Sequence, residues 1–147
     1  MAYLFKQKLN IMDLAGQEFR PSKILIYEPE EYLAALYQHH LRLHSFEVMH
    51  CLALEQAKLA LTGFEPDVFV FCADADNASS NATVEIWKLL RSLGADFPKL
   101  RLVSTGLNSS NDLISQLMRA GVLGHINRKL SRPQDLAVVV KSVLQQV

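Results

Sequence analysis

Two cysteines, five histidines and a few clustered carboxylates are the groups that could carry chemistry in this chain of 147 residues. Cys72 closes the apolar run Val68-Phe-Val-Phe-Cys72. A thiol at the carboxyl end of a strand becomes a nucleophile or redox centre only beside a base or a helix N-terminus. No Cys-x-x-Cys spacing and no dedicated His partner accompanies it, so Cys72 reads as a small apolar core residue. His39, His40, His44 and His50 lie close together in the sequence, and His40 and His44 share a helix face. A third ligand is missing, and no metal is expected there. The 6 glycines are scattered as turns and helix stops, without a G-x-G-x-x-G or Walker pattern, so no nucleotide, flavin or other cofactor is expected. Glu28, Glu30 and Glu31 surround Pro29, where carboxylates of a first helical turn favour the helix dipole.

Alternating strands and helices must position these groups. Short apolar runs give five strands at Lys23–Tyr27, Ser45–His50, Val68–Cys72, Leu102–Thr105 and Gly124–Asn127. Continuous β-branched and aromatic runs suit strands buried on both faces. Helices fall between and after them. The first starts near Pro29, and the second runs from Leu54 to Leu61 with Gly63 as a left-handed cap. The third spans Ala82–Leu93 and stops at Gly94, and the fourth spans Asn111–Ala120 and stops at Gly121. Ser131-Arg-Pro-Gln134 resembles a capping box for the fifth, which presents Leu136, Val139, Val140, Val143 and Val147 at helical spacing. Five βα units imply a doubly wound α/β sandwich, a five-stranded parallel sheet in the order 2-1-3-4-5, with functional groups at the carboxyl ends of its strands.

Two parts are expected, an extension over 1–22 and one domain over 23–147. In the extension Leu4, Phe5, Leu9, Ile11, Met12 and Leu14 suggest a short amphipathic helix ahead of a Gly16–Ser22 linker, serving as a packed arm or a docking element. Hydrophobic residues make up 50% and charged residues 20%, which fits a folded domain and argues against disorder. Lys+Arg and Asp+Glu balance at 15 each, so neither nucleic acid nor a membrane surface is an expected partner. No signal-like segment or span of ~18 apolar residues occurs, and a reducing, cytoplasmic setting is expected. The N-x-S/T matches at Asn77, Asn81 and Asn108 then count as polar loop composition. The small polar residues between Ala73 and Asn81 read as a surface connector. The chain stops near the end of the fifth helix, and an output domain beyond Val147 is left open.

Residues 23–147 resemble the receiver domain of bacterial response regulators. The resemblance rests on Ile24-Leu-Ile-Tyr-Glu28, Ser45-Phe-Glu-Val48, Pro66-Asp-Val-Phe-Val-Phe71, Ser104-Thr-Gly106 and Arg119-Ala-Gly-Val-Leu-Gly-His125, taken in order. It implies a flavodoxin-like fold and a site made of an acidic pair after strand one, an acceptor Asp after strand three, a hydroxyl after strand four and a Lys after strand five. Mg²⁺ needs hard oxygen ligands, and a transferred phosphoryl group needs metal, hydroxyl and cation around it. Glu28 matches the first acidic position, but Pro29 stands at the second, with Glu30 one residue further on. Cys72 stands at the acceptor position when counted forward from Pro66, and Asp74 is the alternative when counted back from the third helix. Thr105 matches the hydroxyl, His125 the place of a switching aromatic, and either Arg128 or Lys129 the cation. The usual Pro after that cation is missing, so no cis bond is expected.

A degenerate, phosphorylation-independent pseudo-receiver is the function implied, a protein–protein interaction and signalling module of a bacterial two-component-type pathway rather than an enzyme. The alternative is an atypical true receiver phosphorylated on Asp74 with Mg²⁺, and a third reading is an enzyme using Cys72. The partner surface implied by the resemblance is the face of helix four, strand five and helix five, for a signalling protein or a second copy of the chain. Leu113, Ile114, Leu117 and Met118 give helix four surplus apolar width there, and Val138 lies off the buried stripe of helix five.

Overall fold

The computed structural model describes residues 20–74, 80–107 and 110–146. The extension up to residue 19, the matches at Asn77 and Asn108, the side chain of Asn81 and residues 75–79 of the polar connector lie outside the described residues. Strands and helices alternate as β1 (Lys23–Tyr27), α1 (Glu31–Leu43), β2 (Glu47–Cys51), α2 (Leu54–Gly63), β3 (Val68–Cys72), α3 (Ser80–Asp96), β4 (Arg101–Gly106), α4 (Asn111–Arg119), β5 (Val122–Asn127) and α5 (Asp135–Leu144). The strands form one parallel sheet in the order β2-β1-β3-β4-β5, which is the expected 2-1-3-4-5 arrangement.

The pleat sends alternate residues of each strand to opposite faces, and both faces are covered. Leu25, Tyr27, Phe69, Phe71 and Leu102 pack with Ala57 and Leu61 of α2, Ile86, Leu90 and Leu93 of α3, and Leu117 of α4. Ile24, Ile26, Val68, Val70, Val103 and Ile126 pack on the other side with Tyr37 and Leu41 of α1 and with Leu136, Ala137, Val140 and Val143 of α5. Two buried layers explain why the inner strand β3 is apolar at every position, whereas the edge strands β2 and β5 include exposed and polar residues.

Several element ends differ from expectation. Ser45 belongs to a turn with φ 67°, so β2 begins at Glu47. Gly63 is the last residue of α2 rather than its left-handed cap, and Glu65 takes the positive φ of 54° two residues on. α3 runs through Gly94 to Asp96, and Phe97 just beyond it packs against the same core as Leu93. That burial outweighs the ~1 kcal/mol that a helical glycine costs. α5 has no capping box. Gln134 makes no side-chain cap bond, and Asp135 Oδ2 instead accepts the Arg132 N–H at 2.8 Å. Gly121 has φ 94° and ends α4 as expected.

Candidate functional site

The carboxyl ends of the strands bring the singled-out residues to one edge of the sheet. Glu28 follows β1, and its N–H donates to Cys51 O at 3.1 Å, which fixes it to the end of β2. Its side chain is only 1% exposed. One carboxylate oxygen, Oε2, accepts the Glu30 N–H at 2.9 Å. Arg128, one residue past β5, brings Nη1 to 3.3 Å from Oε1 and 3.4 Å from Oε2. Burial pushes the Glu28 carboxyl above the ordinary carboxylate range, while the Glu30 amide and Arg128 pull it back. Burial also works against the charge of Arg128, but the groups around it, Cys72 and Glu28 foremost, outweigh that and raise its pKa. The result is a buried ion pair between residues 100 positions apart in the sequence.

Arg128, not Lys129, is therefore the cation that reaches the strand ends. Lys129 is exposed, and its N–H donates to Asn127 Oδ1 at 2.9 Å in the turn that leaves β5. Pro29 is exposed and brings no side-chain oxygen. Glu30 caps α1, with its Oε1 accepting the Leu33 N–H at 2.8 Å. Sequence reasoning had anticipated that helix-terminal role for Glu30.

Cys72 is the last residue of β3, buried and opposite Thr105 in the register of β3 and β4. Burial first, and then the neighbouring Glu28, push its thiol up to about 12. The thiolate that a nucleophile requires is thus almost unpopulated at neutral pH. Thr105 Oγ1 is buried and has no hydrogen-bond partner among the described residues. Asp74, two residues past Cys72, is half-buried, and its Oδ1 accepts the Leu107 N–H at 3.1 Å.

His125 faces Ser104 across the β4–β5 pairing, with Ser104 Oγ and His125 Nδ1 2.7 Å apart. Burial lowers the imidazole pKa, and Asp74 partly opposes that. Ser104 was not anticipated as a partner. Its signal was its place directly opposite a polar residue in adjacent strands, which sequence alone cannot register.

Mg²⁺, which a phosphoryl-accepting version of such a site needs, would find few hard ligands at Glu28, Pro29 and Cys72. The carboxylate of Glu28 is taken up by Arg128 and the Glu30 amide, and the thiol of Cys72 is a soft, protonated group. No group of three or more His, Cys, Asp or Glu residues able to hold a metal occurs among the described residues, which include His39, His40, His44 and His50. Nor, among them, is any helix long and apolar enough to cross a membrane.

On the outer face, Leu117 of α4 belongs to the core, with Leu113 and Ile114 partly buried against it. Met118 of α4 is the residue of that group that faces solvent, so the apolar surplus of α4 is narrower than expected. Leu123 of β5 and Val138 of α5 are also exposed.

No protein-family model matches the sequence, and neither does any curated protein. Solved structures do match in fold. A response regulator from Thermotoga maritima superposes with a TM-score of 0.74 at 17% identity, covering 86% of this chain and 100% of that one. An orphan response regulator of H. pylori gives 0.72 at 11% identity, with 84% and 97% covered. A putative pilus assembly-related protein from Burkholderia pseudomallei gives 0.61 at 19% identity, with 83% and 88% covered. The chain has the flavodoxin-like fold of receiver domains.

Proposed function

We propose that this chain is a phosphorylation-independent receiver-type module that signals through protein–protein contact rather than catalysis. The observation that carries this reading is the Glu28–Arg128 pair. In a receiver-like site the first carboxylate would meet a metal, and here a tethered guanidinium meets it. Pro29 and Cys72 remove two further oxygen ligands, and the remaining hydroxyl of Thr105 has no anion to complete. A bacterial two-component-type pathway is the setting that this fold suggests. The test is incubation of the full chain with acetyl phosphate and Mg²⁺, followed by intact mass measurement. An unchanged mass is expected. A stoichiometric phosphate adduct mapped to Asp74 would overturn the reading in favour of an atypical true receiver.

The contact surface proposed is the outer face of α4, β5 and α5, and the occupant is a signalling protein, a second copy of this chain being the first to test. Met118 is 68%, Leu123 46% and Val138 63% exposed there, on three adjoining elements. Met118→Glu combined with Val138→Glu places charge on residues that the core does not use, so the fold should persist. Self-association measured by light scattering, or retention of a partner in pull-downs, should then fall. A folded double variant that assembles like the parent would move the interface to another face.

A further inference from the structure

A single carboxylate joins the end of β3 to the loop that follows β4. Asp74 Oδ1 accepts the Leu107 N–H at 3.1 Å. The residue before Leu107 is Gly106, and a Cβ built there would lie 2.5 Å from Asp74 Oδ1, 3.0 Å from Cγ and 3.1 Å from Oδ2. Those are the three nearest atoms, and all belong to Asp74. Gly106 does not have a positive φ, so its backbone conformation is open to any L residue. Its missing side chain is explained by the carboxylate seated on it, not by a turn.

Gly106 is also a junction. Its carbonyl accepts the Arg128 N–H at 2.9 Å, and the Arg128 side chain meets Glu28. Glu28 in turn donates its N–H to Cys51 O. On the other side, the Ala73 N–H donates to Thr105 O at 2.8 Å just before Asp74. Polar contacts therefore run without a break across the ends of all five strands, and Asp74 is the member from the β3 end.

We propose that Asp74 is a built-in anionic clamp, which holds the β4–α4 connection against the end of β3, and that Gly106 is the seat that admits it. A charged acceptor gives a backbone N–H a stronger bond than a neutral one does. The clamp rests on the reading of the chain as phosphorylation-independent and deepens it. An anion supplied by the chain itself sets the edge next to α4 and β5, so their outer face needs no transferred group to take its shape.

Amide exchange of the full-length chain, followed by NMR, tests the bond directly. In Asp74→Ala the Leu107 amide should exchange at least about tenfold faster, the loss expected for a hydrogen bond to a charged group, while amides of β1 and α5 keep their rates. Asp74→Asn keeps an acceptor without the charge and should fall between. A double-mutant cycle tests the seat. Gly106→Ala should push the Asp74 carboxylate off the Leu107 N–H, speeding exchange there and lowering the thermal midpoint by no more than Asp74→Ala does, yet cost much less in the Asp74→Ala background, where the atoms that the new Cβ would strike are gone. Unchanged exchange at Leu107, or an equal cost of Gly106→Ala in both backgrounds, would overturn the clamp. Neither measurement uses a phosphoryl donor, so a phosphate adduct on Asp74 would defeat the proposed function by a separate result.

Discussion

Replacing Arg128 with Met should destabilise the domain by about 3–5 kcal/mol, because it leaves the Glu28 carboxylate buried without its counter-charge. The pair is well excluded from water, with side-chain exposures of 13% for Arg128 and 1% for Glu28. Desolvation is therefore already incurred in the folded state and cannot be relieved by hydration. Urea denaturation at neutral pH measures the loss. Arg128→Lys should recover part of it, since a single nitrogen, Nη1, lies within 3.4 Å of both Glu28 oxygens and an ammonium on a shorter side chain can take that place only in part. The variant's pH dependence has a definite sign. Burial already raises the Glu28 carboxyl above its ordinary 4.5, and loss of Arg128 removes a lowering influence and raises it further. A folded state with the higher pKa binds the proton more tightly. Stability should thus return as pH falls through that raised value towards the ordinary one. Glu28→Gln combined with Arg128→Met removes both charges and should be milder than Arg128→Met alone. A loss below about 1 kcal/mol in the single variant would show the pair to be no stronger than a surface salt bridge.

That pair also marks the limit of what could be read from the chain. The inner strands were legible because two-sided burial makes them apolar runs, Val68–Cys72 to the residue, while the edge strands β2 and β5 are interrupted by polar residues and their starts were placed less well. The helix ends were less legible. A glycine stops a helix only when nothing beyond it has burial to gain, and Phe97, packed against the core past Gly94, gives α3 reason to continue. At the site, Glu28 and Thr105 could be located from their strands, whereas Arg128 and Lys129 were equivalent until the turn at Asn127 fixed which one points inward. The Ser104–His125 bond and the seat of Asp74 on Gly106 are contacts between distant segments. They follow from register and loop path, which no local pattern encodes.

The second large effect is expected at Cys72. Cys72→Asp restores a carboxylate where a phosphoryl acceptor would stand, and it should cost about 3 kcal/mol or more at neutral pH. The parent site already holds one buried carboxylate, and burial together with Glu28 already pushes the Cys72 thiol up to about 12. The same surroundings would disfavour an ionised Asp, because Arg128 is a single cation already shared between both Glu28 oxygens. One of the two carboxyls should then keep its proton well above the ordinary range. Its folded-state pKa exceeds the unfolded value, so the penalty is largest at high pH and fades as pH falls through the raised pKa. Thermal unfolding across that range, with and without Mg²⁺, separates two kinds of site. If Arg128 is the resident cation, the variant is weak at neutral pH, recovers in acid and ignores Mg²⁺. A variant as stable as the parent, or one whose midpoint climbs with Mg²⁺ concentration, would mean that the edge still accepts a metal once its ligand is returned. The guanidinium would then be a displaceable guest rather than the replacement for that metal.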